Sequence, residues 1–254
     1  MIDAIVIGGG PNGLSAAIEL ANAGKSVWLY EANPTVGGSA RSAELTLPGF
    51  VHDICSAVHP LAAGSPCFSR LPLDRYGLQY VYPPAALAHP FEDGSAILLT
   101  KSIEQTSVLF GSDRQSYKKL ISPIAENWSE LSADVLGPPR FPKHPLRAAR
   151  FGWYAVKPAK TLASTVFKND KSRAVFAGLA AHSCLALEQY GTSAFGLILA
   201  ALATRLDGPS RRADRRVLAT RWQHISRVSV ARFSSIIVLQ RSMNFRQPKR
   251  SCAT

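Results

Sequence analysis

The chain has 254 residues, which at ~150 residues per domain means one large domain or two small ones. Apolar residues make up 46%, and Gly (18) and Pro (17) are near ordinary usage, so a disordered, collagen-like or low-complexity body is excluded. The formal charge of +12 is unevenly spread: residues 204–254 hold 12 of the 29 Lys and Arg and 2 of the 17 acids, leaving the first 203 residues at only +2.

Ala4–Ile7 is a short apolar run that reads as a strand buried on both faces. It ends in Gly8-Gly9-Gly10. From Gly13 the period changes, and Leu14, Ala17, Ile18 and Ala21 fall on one helical face. Gly24 is a natural stop after that helix. Val27–Tyr30 reads as a second buried strand, completing a parallel βαβ unit with a right-handed crossover. Leu78–Tyr82 and Ala96–Thr100 read as further strands, with Asp93-Gly94 as a turn between them.

Tyr117, Leu120, Ile121, Ile124, Trp128, Leu131 and Val135 keep a helical spacing, with Asp113 as the predicted N-cap. Pro123 predicts a kink or break within it, and Gly137-Pro138-Pro139 ends it. Arg140 to Lys160 reads as an irregular basic stretch, followed by an apolar helical region from Ala174 to Ala203. Glu188 splits that region into charge-free runs too short for the ~20 residues of a membrane span, so buried or interfacial helices are expected. His182 and Cys184 within it read as a core histidine and an inert buried thiol.

The four cysteines, at 55, 67, 184 and 252, make no C-x-x-C pair and no metal spacing with the histidines. Reduced thiols in a cytoplasmic protein are the expected state. The N-terminus has no basic region ahead of its apolar run, so no signal peptide is expected.

Chemistry concentrates at the first turn. Gly8-x-Gly10-x-x-Gly13 follows a strand and opens a helix. The first glycine permits the tight turn, the second lets a pyrophosphate approach the backbone, and the third lets helix and strand pack closely. The helix N-terminus then offers free N–H groups to the phosphates. Glu31 stands 18 residues after Gly13, at the end of the second strand. A carboxylate there accepts hydrogen bonds from both ribose hydroxyls of an adenosine and repels a 2′-phosphate, so NADP is disfavoured. A second glycine pair, Gly37-Gly38, follows with Ser39 and Arg41 and makes another backbone-rich concavity.

The stretch from Ala4 to Arg41 resembles the two-glycine-motif flavoproteins of the amine oxidase superfamily, and within them most closely the phytoene desaturase-like oxidoreductases. Pro48 to Pro60 looks like the segment that runs toward the flavin ring in such enzymes, with Cys55 where many relatives have Gly. Residues 113–203 look like the family's substrate domain. The resemblance implies an α/β fold: a Rossmann-like FAD/NAD(P)-binding domain, incomplete here, with an inserted α+β substrate domain. It implies FAD as cofactor, held by Gly8, Gly10, Pro11, Asn12, Gly13, Glu31, Ala32, Gly37, Gly38, Ser39 and Arg41, and an apolar isoprenoid- or lipid-like substrate. The expected organisation is 1–75 as the N-terminal part of the FAD domain, 76–203 as part of the substrate domain, and 204–254 as a basic tail.

No catalytic residue and no metal site are expected, and the oligomeric state is left open. His52, Asp53 and His59 could form a catalytic or metal cluster, but orienting a loop is the favoured reading. Arg147, Arg150, Lys157 and Lys160 form a basic surface whose ordinary role is solvation, with peripheral contact to anionic lipid as the alternative. The tail, with Arg211-Arg212-Ala213-Asp214-Arg215-Arg216, lacks the interleaved aromatics of nucleic-acid modules, so nucleic acid is not the expected partner. Its Arg- and Ser-rich composition fits a GC-rich gene read out of frame. Shifting the codons of Leu206 to Arg212 by one nucleotide can encode Trp-x-x-Pro-x-Gly-Gly, close to a segment of the family. The second expectation is therefore an inactive, truncated, frameshifted fragment whose disordered basic tail binds nucleic acid or anionic lipid without specificity.

Overall fold

The computed structural model describes residues 1–78, 80–205 and 236–240. The chain starts with β1 (Ala4–Ile7), α1 (Pro11–Asn22), β2 (Val27–Glu31), β3 (Ser42–Glu44), β4 (Val51–Asp53) and the single-turn α2 (Pro60–Ala63). A hairpin follows, β5 (Ala85–Pro90) and β6 (Ala96–Thr100). Then come α3 (Ile103–Leu109), α4 (Arg114–Glu126), α5 (Trp128–Val135), α6 (Pro145–Ala155), α7 (Ala159–Val166), α8 (Asp170–Ala180) and α9 (Thr192–Arg205). A last described strand is β7 (Ile236–Gln240). The chain divides into two compact units: one of residues 1–57, 73–79 and 218–254, the other of 58–72 and 80–217.

The first unit is a parallel sheet of order β1-β2-β7 beside the small antiparallel pair β3–β4. Helix α1 buries Leu14, Ala17, Ile18 and Ala21, the stripe predicted by periodicity, and Leu14, Ala17 and Ala21 pack with Val27 and Leu29. It stops where expected. The Lys25 N–H reaches the Leu20 carbonyl and the Gly24 N–H the Ala21 carbonyl, with Gly24 at φ +78°, a stop that requires a left-handed residue. The expectation of strands buried on both faces is corrected. Burial alternates, with Val27 and Leu29 at 0% exposure and Ile5 and Ile7 at 58% and 86%. Helix α1 covers one face only. Within 204–254, where no regular element was expected, β7 pairs in parallel with β2. The rest of the expected disordered tail, including its arginine cluster, lies outside the described residues.

The second unit gathers helices around α9, whose Leu197, Ala200, Ala201 and Leu202 are at most 1% exposed. A Cβ on Gly196 would meet the Phe176 ring at 2.9 Å, so α8 and α9 cross closely. The Trp128 indole N–H donates to the Gly64 carbonyl at 2.9 Å, tying α5 to the end of α2. The hairpin is antiparallel and its second strand falls where predicted, but its first is Ala85–Pro90, not Leu78–Tyr82. The turn decides this. Asp93 accepts from the N–H and hydroxyl of Ser95, so the partner of Ala96 must be Pro90. Ala-rich β5 has a weak intrinsic strand signal.

Four further expectations are corrected. Pro123 lies within α4, and the break falls later, at Asn127, whose side-chain amide donates to the Pro123 carbonyl at 2.9 Å. Arg140–Lys160 is not irregular: Pro145 opens α6 in the first-turn position that proline favours, and α7 begins at Ala159. The apolar region from Ala174 holds the two helices α8 and α9, joined by residues 181–191, which open with a 3-10 turn at Ala181–Ser183. His182 and Cys184 are exposed in that segment, Cys184 at φ +58°. Asp113 precedes α4 but its side chain caps no helical N–H there. Instead it accepts from the N–H groups of Lys168 and Asn169 at 2.9 and 2.8 Å, bridging to the junction of α7 and α8.

Asp113 is 1% exposed. Burial pushes its carboxyl up, but the N–H groups of Lys168 and Asn169 and the Arg173 charge outweigh this and hold it below its ordinary value. A depressed folded-state pKa stabilises above the unfolded value and is lost as pH falls through the folded one. Asp113→Ala, which leaves two N–H groups without their acceptor, is expected to cost about 1–3 kcal/mol at neutral pH. The deficit should shrink as acid protonates the wild-type carboxyl, read by urea unfolding of both proteins at neutral and acidic pH.

Candidate dinucleotide site

The turn between β1 and α1 is held by its own backbone. Gly8, at φ +98°, donates its N–H to the Tyr30 carbonyl at 2.7 Å. A Cβ on Gly13 would sit 1.9 Å from the Gly8 carbonyl oxygen, so only glycine lets the helix start this close to the strand. Gly10 is the N-cap of α1 and supplies no side-chain cap. Pro11 occupies the first helical position, and the Ser15 hydroxyl donates back to the Pro11 carbonyl. The first turn therefore keeps backbone donors for an external anion. A Cβ on Gly10 would meet nothing nearer than the Gly38 Cα at 3.7 Å, so it would enter an open concavity.

Glu31 ends β2 and is 7% exposed. Its Oε2 accepts the Gly9 N–H at 2.7 Å, and its Oε1 accepts the N–H and side-chain amide of Asn33 at 2.8 and 2.7 Å. Burial raises the carboxyl pKa, but the donors from Asn33, Gly9 and Ala32 together hold it below the usual value. The group is an ionised acceptor fixed in orientation.

The second glycine pair is brought onto the first turn. The Gly37 N–H donates to the Gly9 carbonyl at 2.7 Å. Gly37 and Gly38 sit at φ +123° and +55°, and a Cβ on Gly38 would lie 2.9 Å from the Gly10 Cα. Arg41 turns its Nε–H onto the Gly38 carbonyl at 2.9 Å. Asn12 is exposed in the first turn of α1, and Ala32 and Ser39 are exposed on the segment after β2. Two contributors went unread in the sequence: Gly9, whose N–H and carbonyl serve Glu31 and Gly37, and Asn33, which pins Glu31. The signal for Asn33 was its place two residues after a strand-end acid.

The other candidates are dispersed. The His52 ring pairs with the Thr46 hydroxyl at 2.7 Å, and Asp53 accepts from the Ser42 hydroxyl at 2.7 Å, both around β4. His59 stands at the N-cap of α2, in the other unit. Among the described residues no group of three His, Cys, Asp or Glu is placed to hold a metal. No described helix is long and apolar enough to cross a membrane.

The site contains a paired test of its glycines. Gly13→Ala is expected to destabilise the first unit, because the methyl and the Gly8 carbonyl cannot share that space. Gly10→Ala should leave the melting temperature close to wild type, because Gly10 has ordinary φ and ψ of −74° and 176°. Thermal unfolding by circular dichroism separates the two. A Gly10→Ala protein as unstable as Gly13→Ala would contradict the open concavity.

Residues 6–71 match the family described as NAD(P)-binding Rossmann-like domain. The (S)-6-hydroxynicotine oxidase of Paenarthrobacter nicotinovorans is 38% identical over 119 residues, 44% of this chain and 25% of the relative. The 4,4'-diapolycopene oxygenase of a Methylomonas species is 39% identical over 104 residues, 39% and 20% of the two chains. Putrescine oxidase bound to putrescine matches in structure with a TM-score of 0.54 and 20% identity, over 93% of this chain and 50% of that one, which supports the fold. The chain thus spans about half the length of this structural neighbour, and its alignments span a quarter or less of these curated relatives. With the glycine turn, the strand-end acid and the second glycine pair gathered on one backbone surface, residues 6–71 form an NAD(P)-binding Rossmann-like domain, and the chain is similar to oxidoreductases of amine oxidase and carotenoid desaturase type.

Proposed function

We propose that the first unit holds the ADP half of FAD and that the protein takes part in oxidation of an apolar, isoprenoid- or lipid-like substrate. The observation that supports this most is the open space at Gly10, faced by Gly38 and by the uncapped start of α1. The residues fit the group. Asn12 and Gly13 offer first-turn N–H groups to a pyrophosphate, and Gly10 and Gly38 lack the side chains that would exclude it. Oε1 of Glu31 is taken by Asn33, and Oε2 accepts from Gly9. Oε2 is thus the oxygen that keeps acceptor capacity for a ribose hydroxyl. The expected acceptance from the two ribose hydroxyls then falls to this one oxygen. Held ionised, Glu31 also repels a 2′-phosphate. When bound, the flavin supplies a two-electron acceptor, so no side-chain base is required in principle.

The substrate class rests on the carotenoid relatives, 4,4'-diapolycopene oxygenase and the carotenoid 3,4-desaturase of Haloarcula japonica. The relatives named for hydroxynicotine and putrescine favour a second reading, oxidation of an amine.

Titration of the protein with FAD, followed by quenching of flavin fluorescence, tests the cofactor. Saturable binding is expected, tighter than for NADP. Gly10→Leu should weaken it at least tenfold without lowering the melting temperature, since the side chain enters the pyrophosphate position. Unchanged FAD binding in that variant, or tighter NADP binding, would defeat the assignment. Anaerobic bleaching of the bound flavin by a polyene but not by a diamine supports the apolar class; the reverse supports the amine.

A further inference from the structure

Helix α6 has two faces, and both are apolar. Phe151 and Ala155 point into the core, at 7% and 6% exposure. On the opposite side Leu146 and Trp153 stand seven residues apart, on one line of the helix, at 86% and 68% exposure. Ala149 lies between them, and Val156, 59% exposed, extends the stripe just past the helix end. Single exposed apolar residues are ordinary on protein surfaces, but an aligned set is not.

The charge around this stripe has one sign. No acidic residue occurs between Asp134 and Asp170, a stretch that holds seven Lys and Arg. Some are neutralised from outside it: Arg140 pairs with Asp134, Arg147 with Glu130 and Lys160 with Glu188. Lys143, Arg150 and Lys157 have no acidic partner among the described residues. Arg150 donates to the Lys119 carbonyl at 3.2 Å, which leaves its charge uncompensated. The Lys157 ammonium lies 4.9 Å from the centre of the Trp153 ring. On a helical wheel Arg150 and Lys157 both lie along one edge of the line from Leu146 to Trp153, with Ala149 and Val156 along the other.

We propose that α6 is a docking element that lays Leu146, Ala149, Trp153 and Val156 into the interface of an anionic lipid bilayer, with Lys143, Arg150 and Lys157 at the headgroups. A leucine and a tryptophan on one side of a short helix, edged by flexible cations, is the arrangement that lies in a membrane surface. The long cationic side chains can keep their charges in the headgroups while their stems follow the apolar stripe. A second copy of the chain fits poorly, because a two-fold contact through this stripe would set the same cations against one another. The inference stands apart from the proposed cofactor and uses only the second unit.

Co-sedimentation of the full chain with vesicles tests it. Vesicles of equal parts phosphatidylglycerol and phosphatidylcholine are compared with pure phosphatidylcholine. Binding to the mixed vesicles is expected, and Leu146→Ser with Trp153→Ser should lower the partition coefficient about tenfold or more. Arg150→Glu with Lys157→Glu should do the same at low salt. Brominated acyl chains should quench an emission component that Trp153→Phe removes. The replaced side chains lie outside the core, so circular dichroism should be unchanged. Wild-type binding by the Leu146→Ser, Trp153→Ser protein overturns the proposal, because the basic residues of 204–254 would then account for adsorption. Failure of the wild type to bind overturns it, as does lipid-free self-association that the same variant abolishes.

Discussion

The hydrogen bond between the Gly9 N–H and the buried Glu31 carboxylate is the constraint on which the first unit depends. A buried carboxylate is costly unless its lone pairs are served. Here the donors come from the turn after β1 and from Asn33, just past β2, so the cost is offset only when both segments take their native places. The Gly9 carbonyl then receives the Gly37 N–H and draws in the loop with the second glycine pair. One residue's two backbone groups thus tie the first turn to two points of the segment that follows β2 closely, Glu31 and Gly37. Gly10 and Gly38 bring no side chain to the place where they face each other, so that part of the surface is made of peptide groups.

What could be read from the sequence and what could not divide along physical lines. The α1 stripe was legible because a helix covering one sheet face must repeat near 3.6 residues, and Leu14, Ala17, Ile18 and Ala21 do so. Gly13 and Glu31 were legible because their spacing follows from the length of one helix and one strand. Gly9 was not, because a backbone N–H has no signature in the residue type that carries it, and Asn33 left only the weak signal of its place two residues after Glu31. Helix α6 was hidden by Leu146 and Trp153, whose outward apolar side chains blur the period that Phe151 and Ala155 would otherwise show. Asp113 was misread because its position before a helix suggested a cap, while its partners come from residues 168 and 169.

The second unit follows a different logic. Helix α9 is apolar nearly all round and carries the packing, with Gly196 admitting the Phe176 ring and Leu202 buried near its end. Such a helix needs neighbours on every side, and α4, α6, α7 and α8 all touch it. One joint is closed by a polar contact: the Thr192 hydroxyl accepts the Ala159 N–H at 2.9 Å, fixing the start of α7 to the start of α9.

The pairing of β2 with β7 sets an order of assembly. Val27 lies beside Ile236, so this ladder closes a loop of roughly 200 residues. The second unit lies entirely within that loop and is rich in local helical contacts, the kind that form fast. A ribosome moving from N- to C-terminus would release the helical unit while β2 still waited with one edge bare. The βαβ start would then persist as an open template for strand pairing, protected only when β7 emerges.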